Sequence, residues 1–259
     1  MSHEDLLIVV DVGNTNTVCG VFAGDEIVRD FRFSTEIDRT ADEYASLLLP
    51  LLNAANLDPA QASGVIICSV VPPLNLTFEL LSKRYFHQEP IFVEPGVKTG
   101  LSIRYENPTE VGADRIVNGL AARELYGAPV VVADFGTATT FDVVNAQGEY
   151  AGGVIAPGLG ISAEALFSHA SRLYQIDLRR PKHLVGRNTA GAMQSGLYYG
   201  YVGLVDGILA RLIDELGEGT TIVGTGGEAD LIASGSKFIR EVNPRLTLLG
   251  LKMIYDRNR

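Results

Sequence analysis

The chain has 259 residues, 46% of them hydrophobic, with a positive mean hydropathy, so it can bury a full core and is not a disordered chain. Its 31 acidic and 21 basic side chains give a formal charge of -10 without any Lys/Arg run, which speaks against nucleic acid as a partner. No uncharged stretch reaches the ~18 apolar residues of a membrane span, the start of the chain lacks a secretion-signal pattern, and Cys19 and Cys68 read as buried thiols. A cytoplasmic location away from membranes is therefore expected. His3, His87, His169 and His183 are scattered and form no metal-ligand pair.

In chain order, residues 6–10 are β-branched and uncharged and read as a buried strand. Residues 18–22 and 27–33 continue it as an antiparallel meander, turning at Gly24-Asp25. Thr40 and Glu43 frame a capping box, and Leu47, Leu48, Leu51, Leu52 and Ala55 supply the apolar face of the helix that follows. Residues 65–71 read as a central strand stopped by Pro72-Pro73, 74–86 as a helix and 91–93 as a strand. This order is not the repeated β-α-β of a dinucleotide fold.

Residues 96–107 read as a loop. Asn107-Pro108-Thr109-Glu110 then offers a cap, a first-turn proline and an acidic third position, predicting a helix that carries residues 112–115 in its early turns and continues through Ile116, Leu120 and Leu125 to Gly127. The second half reads as strands at 130–133, 141–144 and 150–155, a helix at 162–170 and a long helix at 189–216 capped by Asn188. A strand at 221–223, a helix from about Glu228 and a final helix at 246–255 complete it. Gly196, Gly200, Gly203 and Gly207 share one face of the long helix. Each costs a helix about 1 kcal/mol relative to Ala, which points to a close backbone contact, either inside the fold or with a second subunit.

The same polar turn occurs twice between apolar runs. Asp11-Val12-Gly13-Asn14-Thr15-Asn16-Thr17 and Asp134-Phe135-Gly136-Thr137-Ala138-Thr139-Thr140 are 123 positions apart. Glycine lets backbone approach a ligand closely, successive N–H groups and hydroxyls donate to phosphate oxygens, and a strand-end carboxylate can hold a metal ion. Two copies predict two related domains, each offering a phosphate-binding hairpin. Asp114 and Arg115 point different ways from one helix, so one can take a proton while the other binds an anion. Gly226-Gly227, after a strand, would let a flat adenosine lie on backbone, and Asn188-Thr189 alone reads as a helix cap. The sequence holds no Walker A motif, no Gly-x-Ser-x-Gly elbow and no G-x-G-x-x-A match in an N-terminal β-α-β unit, so neither a P-loop nor a Rossmann site is read.

Taken in order, Asp11-Val-Gly-Asn-Thr15, Gly112-Ala-Asp-Arg115, Asp134-Phe-Gly-Thr-Ala-Thr140, Asn188-Thr189 with Gly191, and Thr225-Gly-Gly227 resemble the motifs of type III pantothenate kinases over essentially the whole chain. The resemblance implies an α/β fold of two tandem actin/Hsp70-like (ribonuclease H-like) domains, at 1–118 and 119–259, with an inter-domain nucleotide cleft. It implies phosphorylation of the primary hydroxyl of pantothenate by ATP, the first step of coenzyme A biosynthesis. Residues Asp11, Val12, Gly13, Asn14, Thr15, Asn16, Thr17 and Val18, with Thr137, would hold the phosphates, and Gly226 and Gly227 the adenosine. Asp114 would be the general base, and Tyr105, Gly112, Ala113, Asp114, Arg115 and Thr189 would bind pantothenate. Mg²⁺ would accompany ATP, Asp134 would bind K⁺ or NH₄⁺, and the chain would form a homodimer. Competing readings are another small-molecule kinase of the superfamily and a non-catalytic ATP-binding regulator.

Overall fold

The computed structural model describes residues 5–169 and 173–259. His3 and Ala170, invoked above as a scattered histidine and a helix end, lie outside these residues. The chain forms two compact units, 5–100 with 107–121 and 247–259, and 101–106 with 122–246.

The first unit is built on strands β1 (Leu6–Val12), β2 (Asn16–Ala23), β3 (Glu26–Ser34), β4 (Ala62–Ser69) and β5 (Ile91–Phe92). Their order in the sheet is β3-β2-β1-β4-β5. The meander β1-β2-β3 is antiparallel, whereas β4 and β5 run parallel to β1. The second unit has β6 (Val130–Phe135), β7 (Ala138–Val144), β8 (Tyr150–Pro157), β9 (Thr221–Gly226) and β10 (Glu241–Val242). Its order, β8-β7-β6-β9-β10, repeats the first with the same pattern of parallel and antiparallel pairs. The central strands β1 and β6 are apolar up to the aspartate near each C-terminal end, as burial on both faces requires.

Helix α1 (Ala41–Ala54) follows β3. Its Thr40–Glu43 capping box forms as predicted, but the buried stripe is Ala41, Tyr44, Ala45, Leu48 and Leu52. Leu47 and Leu51 are exposed. They sit one position before Leu48 and Leu52, and a step of about 100° carries them off the core face. Helix α2 (Asn75–Leu81) opens from a 3₁₀ turn at Pro72–Leu74 and ends in a π turn at Ser82–Phe86. Residues 101–106, read above as loop, are partly ordered by pairing. Tyr150 N–H donates to the Ser102 carbonyl at 2.8 Å, and Arg104 N–H to the Tyr150 carbonyl at 2.8 Å.

The helix predicted from Asn107 starts later. Asn107 caps a 3₁₀ turn at Pro108–Glu110, and α3 (Ala113–Tyr126) begins beyond it. Asp114 therefore lies in the first turn of α3. The second unit adds α4 (Leu159–His169), α5 (Thr189–Leu216), whose Asn188 cap accepts from Gly191 N–H, and α6 (Ala229–Ala233). On α5 the buried stripe includes Tyr198, Tyr201, Val202, Val205 and Leu209, whereas Gly196, Gly200 and Gly203 face outward. A Cβ at any of these three would meet nothing within 4 Å. Close packing inside the fold is thus not what these glycines serve.

Helix α7 (Leu246–Asn258) packs within the first unit. A Cβ on Gly20 would meet Leu248, one on Gly64 would meet the Tyr255 ring, and one on Gly250 would lie 2.5 Å from the Val117 carbonyl oxygen. The last of these is a helix pressed onto backbone that cannot rotate away. Replacing Gly250 with Ala adds about 1 kcal/mol of helix propensity, but overpacking against fixed backbone costs about 1–3 kcal/mol. Gly250→Ala is therefore expected to lower the urea midpoint, which equilibrium denaturation checks.

Candidate active site

Two strand-end turns carry most of the predicted site residues. In the first unit β1 ends at Val12, and Gly13 N–H donates to Asn16 O at 3.0 Å as the chain folds back into β2. Asp11 lies opposite Val18 on β2 and Cys68 on β4, and Val12 lies opposite Thr17. A Cβ on Gly13 would sit 2.9 Å from Asn16 O, so a glycine is needed for the fold-back itself. Asn14 and Thr15 are exposed, while the side chains of Val12 and Thr17 are buried. Thr35, absent from the sequence-based set, braces this turn. Its hydroxyl donates to Gly13 O at 2.7 Å and pairs with the Thr17 hydroxyl at 2.9 Å, and its N–H donates to Thr15 O at 2.9 Å.

The second turn is one residue shorter. Phe135 lies opposite Thr139, leaving three residues in the turn, whereas Val12 and Thr17 enclose four. The counterpart of the buried Thr17 is therefore Thr139, 0% exposed, and not Thr140, which the constant spacing of 123 would select. Asp134 is half-buried opposite Thr140 on β7 and Thr225 on β9. Thr137 is exposed at the tip.

Gly226 has φ +93°, and a Cβ there would lie 2.6 Å from Asp134 Oδ1 and 2.6 Å from the Phe135 backbone. This residue lacks a side chain because the carboxylate and the neighbouring strand fill the space. Gly227 has nothing within 4 Å of a Cβ position and is open.

Asp114 and Arg115 begin α3 in the first unit. Both Arg115 N–H and Ile116 N–H reach the Gly112 carbonyl, at 3.1 and 3.3 Å, and Arg115 N–H also approaches Asp114 Oδ1 at 2.9 Å. A Cβ on Gly112 would lie 2.5 Å from Asp114 Oδ1, so Gly112 makes room for the carboxylate. Burial pushes the Asp114 carboxyl above its usual value, opposed by the Arg115 N–H and guanidinium. Arg115 is 8% exposed. Burial, and then the charges of Asp11 and Asp114, hold the Cys68 thiol neutral, so both carboxylates lie near that side chain.

Of the remaining predicted residues, Ala113 opens α3 in the first unit, and Tyr105 and Thr189 lie in the second. Tyr105 is partly exposed beside Tyr150, ring centroids 6.5 Å apart, and a Cβ on Gly152 would be 3.3 Å from its ring. Tyr150 is anchored in turn, because its hydroxyl donates to the buried Asp142 at 2.8 Å. Thr189 is the first residue of α5, exposed just after its cap.

Among the described residues no three His, Cys, Asp or Glu side chains cluster to hold a metal by themselves, and no helix is long and apolar enough to cross a membrane. A lone strand-end carboxylate suits a cation whose other ligands come from phosphate, backbone or water.

Comparison with known proteins gives a consistent result. Residues 7–211 match the model of the type III pantothenate kinase family. A type III pantothenate kinase of Anaeromyxobacter sp. (strain Fw109-5) is 54% identical over 254 residues, covering 98% of this chain and 100% of that one. One from Koribacter versatilis (strain Ellin345) is 53% identical, covering 98% and 96%. MreB 5 of Spiroplasma citri, solved bound to AMPPNP, has a TM-score of 0.54 at 11% identity, covering 98% and 96%, which is a likeness of fold.

Thr35→Val keeps the side-chain shape but removes the partner of Gly13 O and of the buried Thr17 hydroxyl. Leaving such groups unpaired costs about 1–3 kcal/mol. The unfolding free energy is expected to fall by that amount, with faster amide hydrogen exchange across residues 13–17 than elsewhere in β1 and β2.

Proposed function

The chain belongs to the type III pantothenate kinase family, and we propose that Asp114 is the base that draws the proton from pantothenate while Arg115 binds the substrate's carboxylate. The overall reaction is ATP-dependent phosphorylation of pantothenate in coenzyme A biosynthesis. One observation carries the assignment of the base. Asp114 is half-buried at the start of a helix, in space that only a glycine at position 112 leaves free, with its carboxyl raised by burial. A raised carboxyl is a stronger proton acceptor, and the Arg115 charge beside it still favours ionisation at neutral pH.

The phosphates of ATP are assigned to Asp11, Val12, Gly13, Asn14, Thr15, Asn16, Thr17 and Val18 and to Thr137. The buried side chains of Val12 and Thr17 limit those two residues to backbone contacts. Asn14, Thr15 and Thr137 present exposed side chains. Gly226 and Gly227 are assigned to the adenosine, the open face at Gly227 supporting that role. Pantothenate is assigned to Tyr105, Gly112, Ala113, Asp114, Arg115 and Thr189.

Asp11 is assigned to Mg²⁺ and Asp134 to K⁺ or NH₄⁺, the missing side chain of Gly226 leaving room for the Asp134 carboxylate itself. Bound there, these ions supply positive charge against the charge that spreads over a transferring phosphoryl group. The chain's own contribution is to place the hydroxyl, hold its proton acceptor and fix the donors. Assembly as a homodimer is supported by the outward glycines of α5 together with exposed Ile155, Leu184, Val185 and Leu204, since apolar surface of that kind marks interaction sites. A cytoplasmic location completes the reading.

Asp114→Asn is expected to lower kcat by about 10²-fold or more. The folded state holds the Asp114 proton more tightly than the unfolded chain, so wild-type stability declines as pH rises from about 3.9 through the raised value. The inactive Asn variant should therefore melt no lower than wild type at pH 7, a comparison made by calorimetry. The acid limb of wild-type kcat/KM should lie above the ordinary Asp range, because activity needs the ionised form and fades as pH falls. An acid limb at or below pH 4 would remove Asp114 from the role.

Asp134→Ala should abolish the stimulation by K⁺ over Na⁺ that wild type is expected to show in coupled ADP-release assays. Leu204→Asp should convert a dimer to a monomer by sedimentation velocity.

A further inference from the structure

Each strand-end turn has a buried threonine across from the last strand residue, and each such threonine pairs with a hydroxyl from elsewhere in its unit. In the first unit Thr17 pairs with Thr35, which directly follows β3. In the second unit Thr139 pairs with Tyr201, from the buried stripe of α5. The Tyr201 hydroxyl also donates to the Pro157 carbonyl at 3.1 Å. A phenol has one proton. With that proton given to a carbonyl, the Tyr201 oxygen accepts from Thr139, and the direction of both bonds is set.

Pro157 is the last residue of β8, in the position that Ser34 holds at the end of β3. The next residue, Gly158, donates its N–H to the Thr137 carbonyl at 3.1 Å. A Cβ on Gly158 would be 2.2 Å from that oxygen and 2.5 Å from the Gly136 carbonyl oxygen. The backbone at 157–158 is thus pressed onto the three-residue turn. Tyr201 holds this backbone with one bond and the strand leaving the turn with the other. Thr139 is 0% exposed and Tyr201 6%, so both hydroxyls are shielded from bulk water.

We propose that Tyr201 is a positioning residue for the second turn, its phenol fixing the backbone of Gly136, Thr137 and Ala138 in the arrangement that receives ATP phosphate. This rests on the assignment of Thr137 to ATP. Tyr201 itself touches no reactant. Its effect is on the readiness of the turn, because donors that must be reordered on binding lose affinity and rate.

The test measures ATP binding by titration calorimetry without pantothenate, both KM values, and the melting temperature, for Tyr201→Phe, Thr139→Val, Thr139→Ser and Thr137→Ala. Tyr201→Phe and Thr139→Val, both near-isosteric, are expected to weaken ATP binding roughly tenfold, with the pantothenate KM within about twofold of wild type. The double variant should be no worse than either single, since both remove one network. Thr139→Ser keeps the hydroxyl and should bind ATP like wild type. If Tyr201→Phe binds ATP like wild type while Thr137→Ala is weakened, the proposal falls and the assignment of Thr137 stands. If neither is weakened, the assignment falls and takes the proposal with it. A parallel rise of both KM values with a lowered melting temperature would make Tyr201 a general packing residue and overturn its specific role.

Discussion

Each unit's strand-end turn depends on a backbone hydrogen bond made immediately after its central strand ends. Gly13 N–H to Asn16 O closes β1 onto β2, and Gly136 N–H to Ala138 O, at 3.1 Å, closes β6 onto β7. Because the chain reverses there, Asp11 and Asp134 sit one residue from the strand end, held on both sides by neighbouring strands. Strand pairing on both sides fixes the backbone from which each carboxylate projects. The place of each aspartate along its strand is set by sheet register, which the buried apolar faces of the two sheets enforce.

Asp114 illustrates a different demand. The proposed proton acceptor must be ionised at neutral pH and still hold a proton well, and burial that raises the Asp114 carboxyl, opposed by the Arg115 charge, suits that proposal. The same burial makes the charged carboxylate unfavourable for folding, so the proposed activity and the stability pull on this residue in opposite directions. Gly112 is part of the compromise. It gives up side-chain packing to leave room for the carboxylate and lends its carbonyl to the N–H groups of Arg115 and Ile116 in the first turn of the helix.

Much of this was legible in the sequence. Uncharged β-branched runs marked β1, β4 and β6, the Thr40–Glu43 box marked the start of α1, and the two Asp-x-Gly turns marked the strand ends that carry the carboxylates. What was not legible has physical reasons. Thr35 and Tyr201 act through single hydroxyls across 18 and 62 residues of chain from Thr17 and Thr139, and such contacts leave no local period. The outward face of Leu47 and Leu51 on α1 is a matter of about 100° of helix phase, which a leucine run broken only by Pro50 does not record. Asn107 carries good capping chemistry, yet it caps a 3₁₀ turn, because a cap satisfies N–H groups without specifying how long a helix will follow. Nothing in 246–258 says which sheet the last helix covers. That is decided by the bare surfaces at Gly20 and Gly64.

The one-residue difference between the turns has a bearing on descent. If the two halves arose as copies of one ancestral half, a residue has since been gained or lost after one of the aspartates. Had that change fallen within a strand, every later side chain would have turned to the opposite face. Falling in the turn, it left Cys19 and Val21 of β2 and Phe141 and Val143 of β7 alike on the inside. Kinship between the halves is therefore preserved in which side chains are hidden, and an alignment that keeps the letters in step past the glycine pairs Thr17 with a residue that is not its homologue.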